Sequence, residues 1–279
     1  MPADHLLNHL KINADVARRV IVDFVRDELH RAGFKRAVLG LSGGVDSSLA
    51  VYLAAEALGP DNVLALRMPF RTSSQESLDH ARLVIDNLGV RYDTIDITPM
   101  VDPLLERFPD MDHVRQGNIM ARQRMIVLYD QSAAFDALVV GTSNKTETLL
   151  GYTTLFGDNA AAIQPIGDLY KCQVRQLARA VGVPEVIVNK APSADLWPGQ
   201  TDEGELGFTY DDADQVLYLL VDRRYTLDEA VEAGFSREFV ETVWRTVQQT
   251  HYKRRPAIIA KLSQRTIGHD FLYMRDWGT

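Results

Sequence analysis

A doubly wound α/β fold, with a mostly parallel sheet, helices on both faces and further helices towards the C-terminus, is expected from three features of the chain. Short apolar runs of four to six residues alternate with stretches of helical periodicity. The first run feeds a glycine-rich turn that opens directly into a helix. Polar and charged residues then gather just after the runs ending at Leu41, Leu66 and Val140. Strands separated by helical segments imply parallel crossovers. Ligands of such sheets bind outside the carboxyl ends of the strands.

The elements follow in order. Val16, Val20, Ile21, Phe24, Val25 and Leu29 recur at helical spacing between Ala14 and Arg31, and Gly33 stops that helix. Arg36 to Leu41 reads as a buried strand, and Asp46 to Leu58 as the helix after the turn. Val63 to Leu66 reads as strand, Ser74 to Leu88 as helix, and Tyr92 to Ile97 as strand. Asn118 to Phe135 reads as a long helix and Ala137 to Gly141 as a further strand. Asp158 to Phe208 is rich in Gly, Pro and Asp, with one clear helix from Lys171 to Val181. Helices return over Asp211 to Val221 and Arg237 to Thr250. The irregular stretch Ala191 to Tyr210 is long for a compact domain unless it serves as a lid.

The 279 residues suit one large domain with enough apolar material for a sizeable core. A net charge of -8 argues against a nucleic-acid partner, because phosphate neutralisation needs clustered Lys and Arg. Small anions stay open, since a pocket can be locally basic on an acidic protein. Cys172 is the single cysteine, which excludes an internal disulfide and a cysteine metal cluster. The first twenty residues lack the apolar centre of a secretory signal, and no stretch approaches the roughly 18 apolar residues of a membrane span. A cytoplasmic setting is expected.

The turn Gly40-Leu41-Ser42-Gly43-Gly44-Val45-Asp46-Ser47-Ser48 carries the first chemical signal. Consecutive glycines let the backbone turn tightly and aim several N–H groups inward, and the helix start adds its positive end. Ser42, Ser47 and Ser48 bring hydroxyls, and Asp46 suits a divalent cation beside phosphates. The Lys of a Walker A loop and the spacing of a dinucleotide fingerprint are both missing. A plain glycine turn with Asp near a helix start is the structural alternative.

S-G-G-x-D-S resembles the pyrophosphate loop of the N-type ATP pyrophosphatases, which adenylate an acceptor oxygen and release pyrophosphate. Four further segments resemble the ammonia-dependent NAD synthetases of that family, and together they cover nearly the whole chain. They are Asn118-Ile119-Met120-Ala121-Arg122-Gln123-Arg124-Met125, Gly141 to Glu147 with Gly151 to Thr154 and Gly157-Asp158 after it, Pro165 to Lys171, and Pro192 to Gly207. Tyr252-Lys253-Arg254-Arg255-Pro256 is similar to the family's H-K-R-R-P, with Tyr252 where many members have His.

The resemblance implies an adenine nucleotide alpha hydrolase-like fold and ATP-dependent amidation of deamido-NAD through an acyl-adenylate, with Mg2+ required. It assigns ATP to the loop residues and to Arg67, Thr142, Lys171 and Thr201. It assigns deamido-NAD to Asn118, Arg122, Tyr129, Asp158 and Lys253, and places ammonia at Asp158 too, whose carboxylate suits taking a proton from ammonium. Asp46 and Glu147 would hold the metal, and Asp46, Asp158 and Lys171 would carry the catalysis. It also implies a homodimer formed along the Asn118 helix.

The expected organisation is a single domain: an N-terminal helix in 1–34, a nucleotide-binding core in 35–190, a lid in 191–210, and a helical part with tail in 211–279. No glutaminase domain is expected, so the nitrogen donor is free ammonia, or ammonia from a separate glutaminase chain. Two rivals stand beside this reading. One is another ATP pyrophosphatase, disfavoured by the acidic charge and the Pro192–Gly207 segment. The other is an adenine-nucleotide sensor without chemistry, disfavoured by the presence of Asp46, Glu147 and Asp158. Cys172 reads as a small packing residue rather than a nucleophile.

Overall fold

A computed structural model describes residues 6–193, 195–197 and 199–271. Ala194 and Pro198 of the expected lid, and the last eight residues of the expected tail, lie outside the described residues.

Four parallel strands form the sheet: β1 (Ala37–Gly40), β2 (Val63–Arg67), β3 (Arg91–Thr94) and β4 (Leu138–Val139), in the order β3-β2-β1-β4. Ala37 pairs with Val63 on one side and with Leu138 on the other. A parallel bridge between Val140 and Ile163 extends the β4 edge. The chain therefore steps outward from β1 to β3 and then returns to the opposite side of β1. Connections after β1 and β4 leave in opposite directions, which opens a crevice between them.

Strand alternation sorts the core into two faces. Ala37, Leu39, Val63 and Ala65 pack with α1 (Ala14–Arg31), α2 (Val45–Leu58), α3 (Gln75–Leu88) and α7 (Lys171–Val181). Val38, Leu66 and Val139 face the other way, onto α4 (Thr98–Arg107) and α5 (His113–Phe135) through Val101, Met120 and Val127. A third apolar cluster joins α6 (Lys145–Leu150), α10 (Tyr210–Leu217), α11 (Leu227–Glu232) and α12 (Arg237–Gln249) at the C-terminal side. The partly buried Cys172 packs against this cluster. The remaining helices are the short α8 (Glu185–Val188) and α9 (Asp202–Leu206). No helix among the described residues is long and apolar enough to cross a membrane.

Several elements depart from expectation. On α1, Ile21, Val25 and Leu29 are buried, but Val16, Val20 and Phe24 are exposed, so the apolar stripe is wider than the face it buries. Helix α5 starts five residues before Asn118, with the Asp112 carboxylate accepting from the Arg115 N–H at 2.7 Å. Gly117 in this first stretch lets the Leu196 side chain approach closely, since a Cβ there would come within 2.8 Å of a Leu196 methyl. Helix α4 was not expected, since Pro99 and Pro103 both argue against helix; Pro99 falls in its first turn, where a missing N–H costs little. The strand expected over Tyr92–Ile97 ends at Thr94. The stretch from Ala191 to Tyr210 is not wholly irregular, because Thr201 caps the five-residue helix α9 within it.

Candidate active site

A cavity of about 520 Å³ opens at the carboxyl ends of β1 and β4, where the strand order reverses. Its floor is the glycine-rich loop. Gly43 has φ +82°, and a Cβ there would meet the Ser77 carbonyl oxygen at 2.1 Å, so only glycine fits. The serine hydroxyls brace this loop. Ser47 Oγ accepts from the Ser42 N–H at 3.2 Å, and Ser42 Oγ accepts from the Gly44 N–H at 3.3 Å. Ser48 donates to the Gly44 carbonyl at 2.8 Å and is fully buried. Helix α2 opens at Gly44 without a side-chain cap, leaving its positive end directed at the cavity.

Three charged groups meet above that helix start. The Lys171 ammonium donates to Asp46 Oδ2 at 2.6 Å and to Glu147 Oε1 at 2.9 Å. It also lies 4.9 Å from the centre of the Tyr210 ring. The Lys171 side chain is only 3% exposed, whereas Asp46 and Glu147 keep 17% and 15% open. Burial disfavours the ammonium, but Asp46 and Glu147 outweigh that effect and hold it above its ordinary value. Burial pushes the Glu147 carboxyl up, with Lys171 opposing and Asp46 adding to the rise. Asp202 sits behind this group. It accepts from Tyr210 Oη at 3.1 Å, and Tyr152 Oη lies 3.2 Å from its other oxygen.

Asp158 lines the same cavity, and its Oδ1 accepts from the Thr154 N–H at 2.6 Å. The carboxylate still meets solvent inside the cavity, yet the protein around it raises its pKa by desolvation, against the pull of the Thr154 N–H, Lys253 and Arg124. Asn118 accepts from the Thr154 hydroxyl at 2.8 Å. Arg67 clasps Thr94 Oγ1 through Nε and Nη2, and Thr142, beyond β4, lines the same cavity. Lys253 also lines the cavity, but its ammonium donates to the carbonyls of Gly151 at 2.7 Å and Thr153 at 2.8 Å. It thus braces the loop before Asp158.

Of the residues singled out from sequence, Gly40, Leu41, Ser42, Gly44, Val45, Asp46, Ser47, Arg67, Asn118, Thr142, Glu147, Asp158, Lys171 and Lys253 line this one cavity. Gly43 and Ser48 shape the loop from behind. Arg122, Tyr129 and Thr201 are not among the lining residues. Arg122 donates to the Leu155 carbonyl, Tyr129 is 42% exposed on the outside of α5, and Thr201 caps α9.

Sequence reasoning gave no role to several lining residues. Arg124 donates to the Met68 carbonyl at 3.0 Å, and burial lowers its guanidinium to about 10, still charged at neutral pH. Tyr152, Lys190 and Asp202 also line the cavity. Arg124 was quoted within its motif, so the signal was present, but its inward direction was not visible in one dimension.

The NAD synthase family model matches residues 17–257. The NH(3)-dependent NAD(+) synthetase of Trichlorobacter lovleyi is 57% identical over 272 residues, covering 98% of this chain and all of the relative. Two solved structures, each 31% identical, cover 90% of this chain and the whole of their own. They are an NMN synthetase from Francisella tularensis, with a TM-score of 0.80, and the NH3-dependent NAD synthetase of Campylobacter jejuni, at 0.77. With the family model spanning residues 17–257 and a relative 57% identical over 98% of its length, the chain belongs to the NAD synthase family.

Proposed function

We infer that this chain converts deamido-NAD to NAD at the expense of ATP, with ammonia as nitrogen donor and AMP and pyrophosphate as by-products. The observation that carries the reading is the meeting of Asp46, Glu147 and Lys171 over the glycine-rich loop, with Asp158 in the same cavity.

The reaction has two demands, and different residues answer them. Attack of the nicotinate carboxylate on the α-phosphate of ATP gives an acyl-adenylate and pyrophosphate, and negative charge accumulates on the leaving group. The loop N–H groups, the α2 start and the Lys171 ammonium are placed to hold that charge. Ammonia then displaces AMP. Asp158, with its raised pKa, is suited to take the proton that ammonium must lose before its nitrogen attacks. Pro192, Leu196, Trp197 and Gln200 line the cavity and would help keep water from the acyl-adenylate.

The donor set near the phosphate loop fits Mg2+. Asp46 and Glu147 offer hard carboxylate oxygens, and no group of three or more His, Cys, Asp or Glu able to hold a metal occurs among the described residues. Magnesium is commonly held by one or two carboxylates together with substrate phosphates. It would supply charge neutralisation on the β- and γ-phosphates when bound.

Arg122 and Tyr129 fit a dinucleotide that extends along α5 to a second copy of the chain. Ile126 and Tyr129 are 54% and 42% exposed on that helix, which suits the homodimer the family resemblance implies. No separate glutaminase is needed in this reading.

The likeness to the Francisella enzyme favours one alternative acceptor, nicotinate mononucleotide. The test is purified protein with ATP and Mg2+, supplied with deamido-NAD or nicotinate mononucleotide and with ammonium or glutamine, following AMP and the amidated product. NAD from deamido-NAD and ammonium alone is the expected result. Product only from the mononucleotide moves the reading to that acceptor, and product only with glutamine overturns the donor.

A further inference from the structure

Asn144 is fully buried and belongs to none of the roles above. It lies between two of the groups that matter. Its Oδ1 accepts from the Glu147 N–H at 2.9 Å, capping α6, and its Nδ2 donates to Asp46 Oδ1 at 2.8 Å. Its own N–H faces Glu147 Oε2 at 3.5 Å. The second oxygens of Asp46 and Glu147 both accept from Lys171. The result is a ring of four residues drawn from three helix starts, α2, α6 and α7, in which side chains link Asn144, Asp46, Lys171 and Glu147 in turn and the Asn144 main-chain N–H closes the circuit.

Helix capping alone does not explain asparagine here. Ser, Thr and Asp cap as well, and Ser74, Asp112, Thr201 and Ser236 do so elsewhere in this chain. Aspartate offers no donor to Asp46, and a serine hydroxyl is shorter than the carboxamide. Asparagine supplies an acceptor and a donor together and adds no charge to a cluster that already holds two carboxylates. The same short helix also sets Lys171. Thr146 Oγ1 accepts from the Lys171 N–H at 2.9 Å while donating to the buried Asp214 at 2.5 Å.

We propose that Asn144 is a positioning residue that orients Asp46 towards Glu147, so that the two carboxylates present one divalent-cation site beside the phosphate loop. The proposal rests on the reading of Asp46 and Glu147 as the metal carboxylates. Groups that hold a metal ligand in place commonly change metal affinity by roughly 10- to 100-fold when removed.

The test compares Asn144→Ser, which keeps a capping oxygen, with Asn144→Ala, which loses cap and amide together, and with Asp46→Asn. Three quantities are read: the Mg2+ concentration for half-maximal rate at saturating ATP, the affinity for MgATP by calorimetry, and the melting temperature without ligand. Both Asn144 variants are expected to need roughly tenfold more Mg2+ and to bind MgATP correspondingly more weakly, while only Asn144→Ala loses much melting temperature. A Mg2+ shift that follows the melting temperature, present in Ala and absent in Ser, overturns the proposal and leaves a helix cap. If Asp46→Asn also leaves the Mg2+ requirement unchanged, the metal reading itself fails.

Discussion

Lys171 and Asp46 stand 125 positions apart in the chain, yet the lysine ammonium lies 2.6 Å from the aspartate Oδ2 beside the glycine-rich loop. A lysine at a helix start is disfavoured by the helix dipole. Here it is the first residue of α7, and its side chain reaches back to the start of α2, where it meets the carboxylates of Asp46 and Glu147 beside the glycine-rich turn.

Substituting Lys171 with Met removes that cation and leaves Asp46 and Glu147 without their shared partner. A fall in turnover of roughly 100-fold or more is expected, as for other fixed groups that meet developing charge. Steady-state kinetics at saturating ATP and Mg2+ measures it, and a variant of near-normal turnover refutes the role.

The raised pKa of Asp158 has a signed consequence for activity. A base works only when deprotonated, so the acidic limb of the rate profile should lie above the range of an ordinary carboxylate. Asp158→Asn should remove that limb and slow amidation by roughly 100-fold. Measuring the rate against pH at a fixed concentration of free NH3 separates this limb from the titration of ammonium itself.

Asp214 offers a test through stability. It is fully buried, and desolvation raises its pKa against the bonds from Thr146 and the Cys172 N–H. A carboxyl whose folded value is raised stabilises most below its unfolded pKa, and that contribution is lost as pH climbs through the folded value. The melting-temperature gap between the wild type and Asp214→Asn should therefore narrow as pH rises. A gap that widens contradicts the buried, desolvated state of this group.

The adjacent glycines Gly43 and Gly44 should respond differently. Gly43→Ala places a Cβ 2.1 Å from a backbone oxygen at φ +82°, so the loop must move and ATP affinity should drop by roughly tenfold or more. Gly44 has φ -86°, and its nearest neighbour would be Ser42 Oγ at 3.4 Å. Gly44→Ala should keep the melting temperature close to that of the wild type. Calorimetry with ATP and thermal melts of both variants decide the matter.

Cys172 should be inert. Burial and the neighbouring Asp214 carboxylate push its thiol well above the ordinary range, so little thiolate forms at neutral pH. A thiol reagent should label the native protein slowly, and Cys172→Ala should retain activity. Rapid labelling with loss of activity would contradict this.

Much of the architecture was legible in one dimension. The runs at Ala37–Gly40 and Val63–Arg67 are apolar, short and bounded by turn residues, and a buried parallel strand requires that. Gly43, Gly44 and Asp46 announced the loop because few residue types can turn a backbone around phosphate. Helix α4 stayed hidden because Pro99 and Pro103 look like breakers; Pro99 falls in the first turn, but Pro103 lies inside the helix, where no local pattern predicts it.

The residue types, the order of strands and helices, and the chemistry of the loop follow from local sterics and periodicity, which the linear chain carries. The meeting of Asp46, Asn144, Glu147 and Lys171 does not. It depends on β4 returning to the far side of β1, which brings the starts of α2, α6 and α7 to one point. The inward direction of Arg124 and the outward direction of Arg122, two residues apart on one helix, likewise depend on which face of α5 meets the sheet. Long-range packing sets these relations, and no local pattern encodes them.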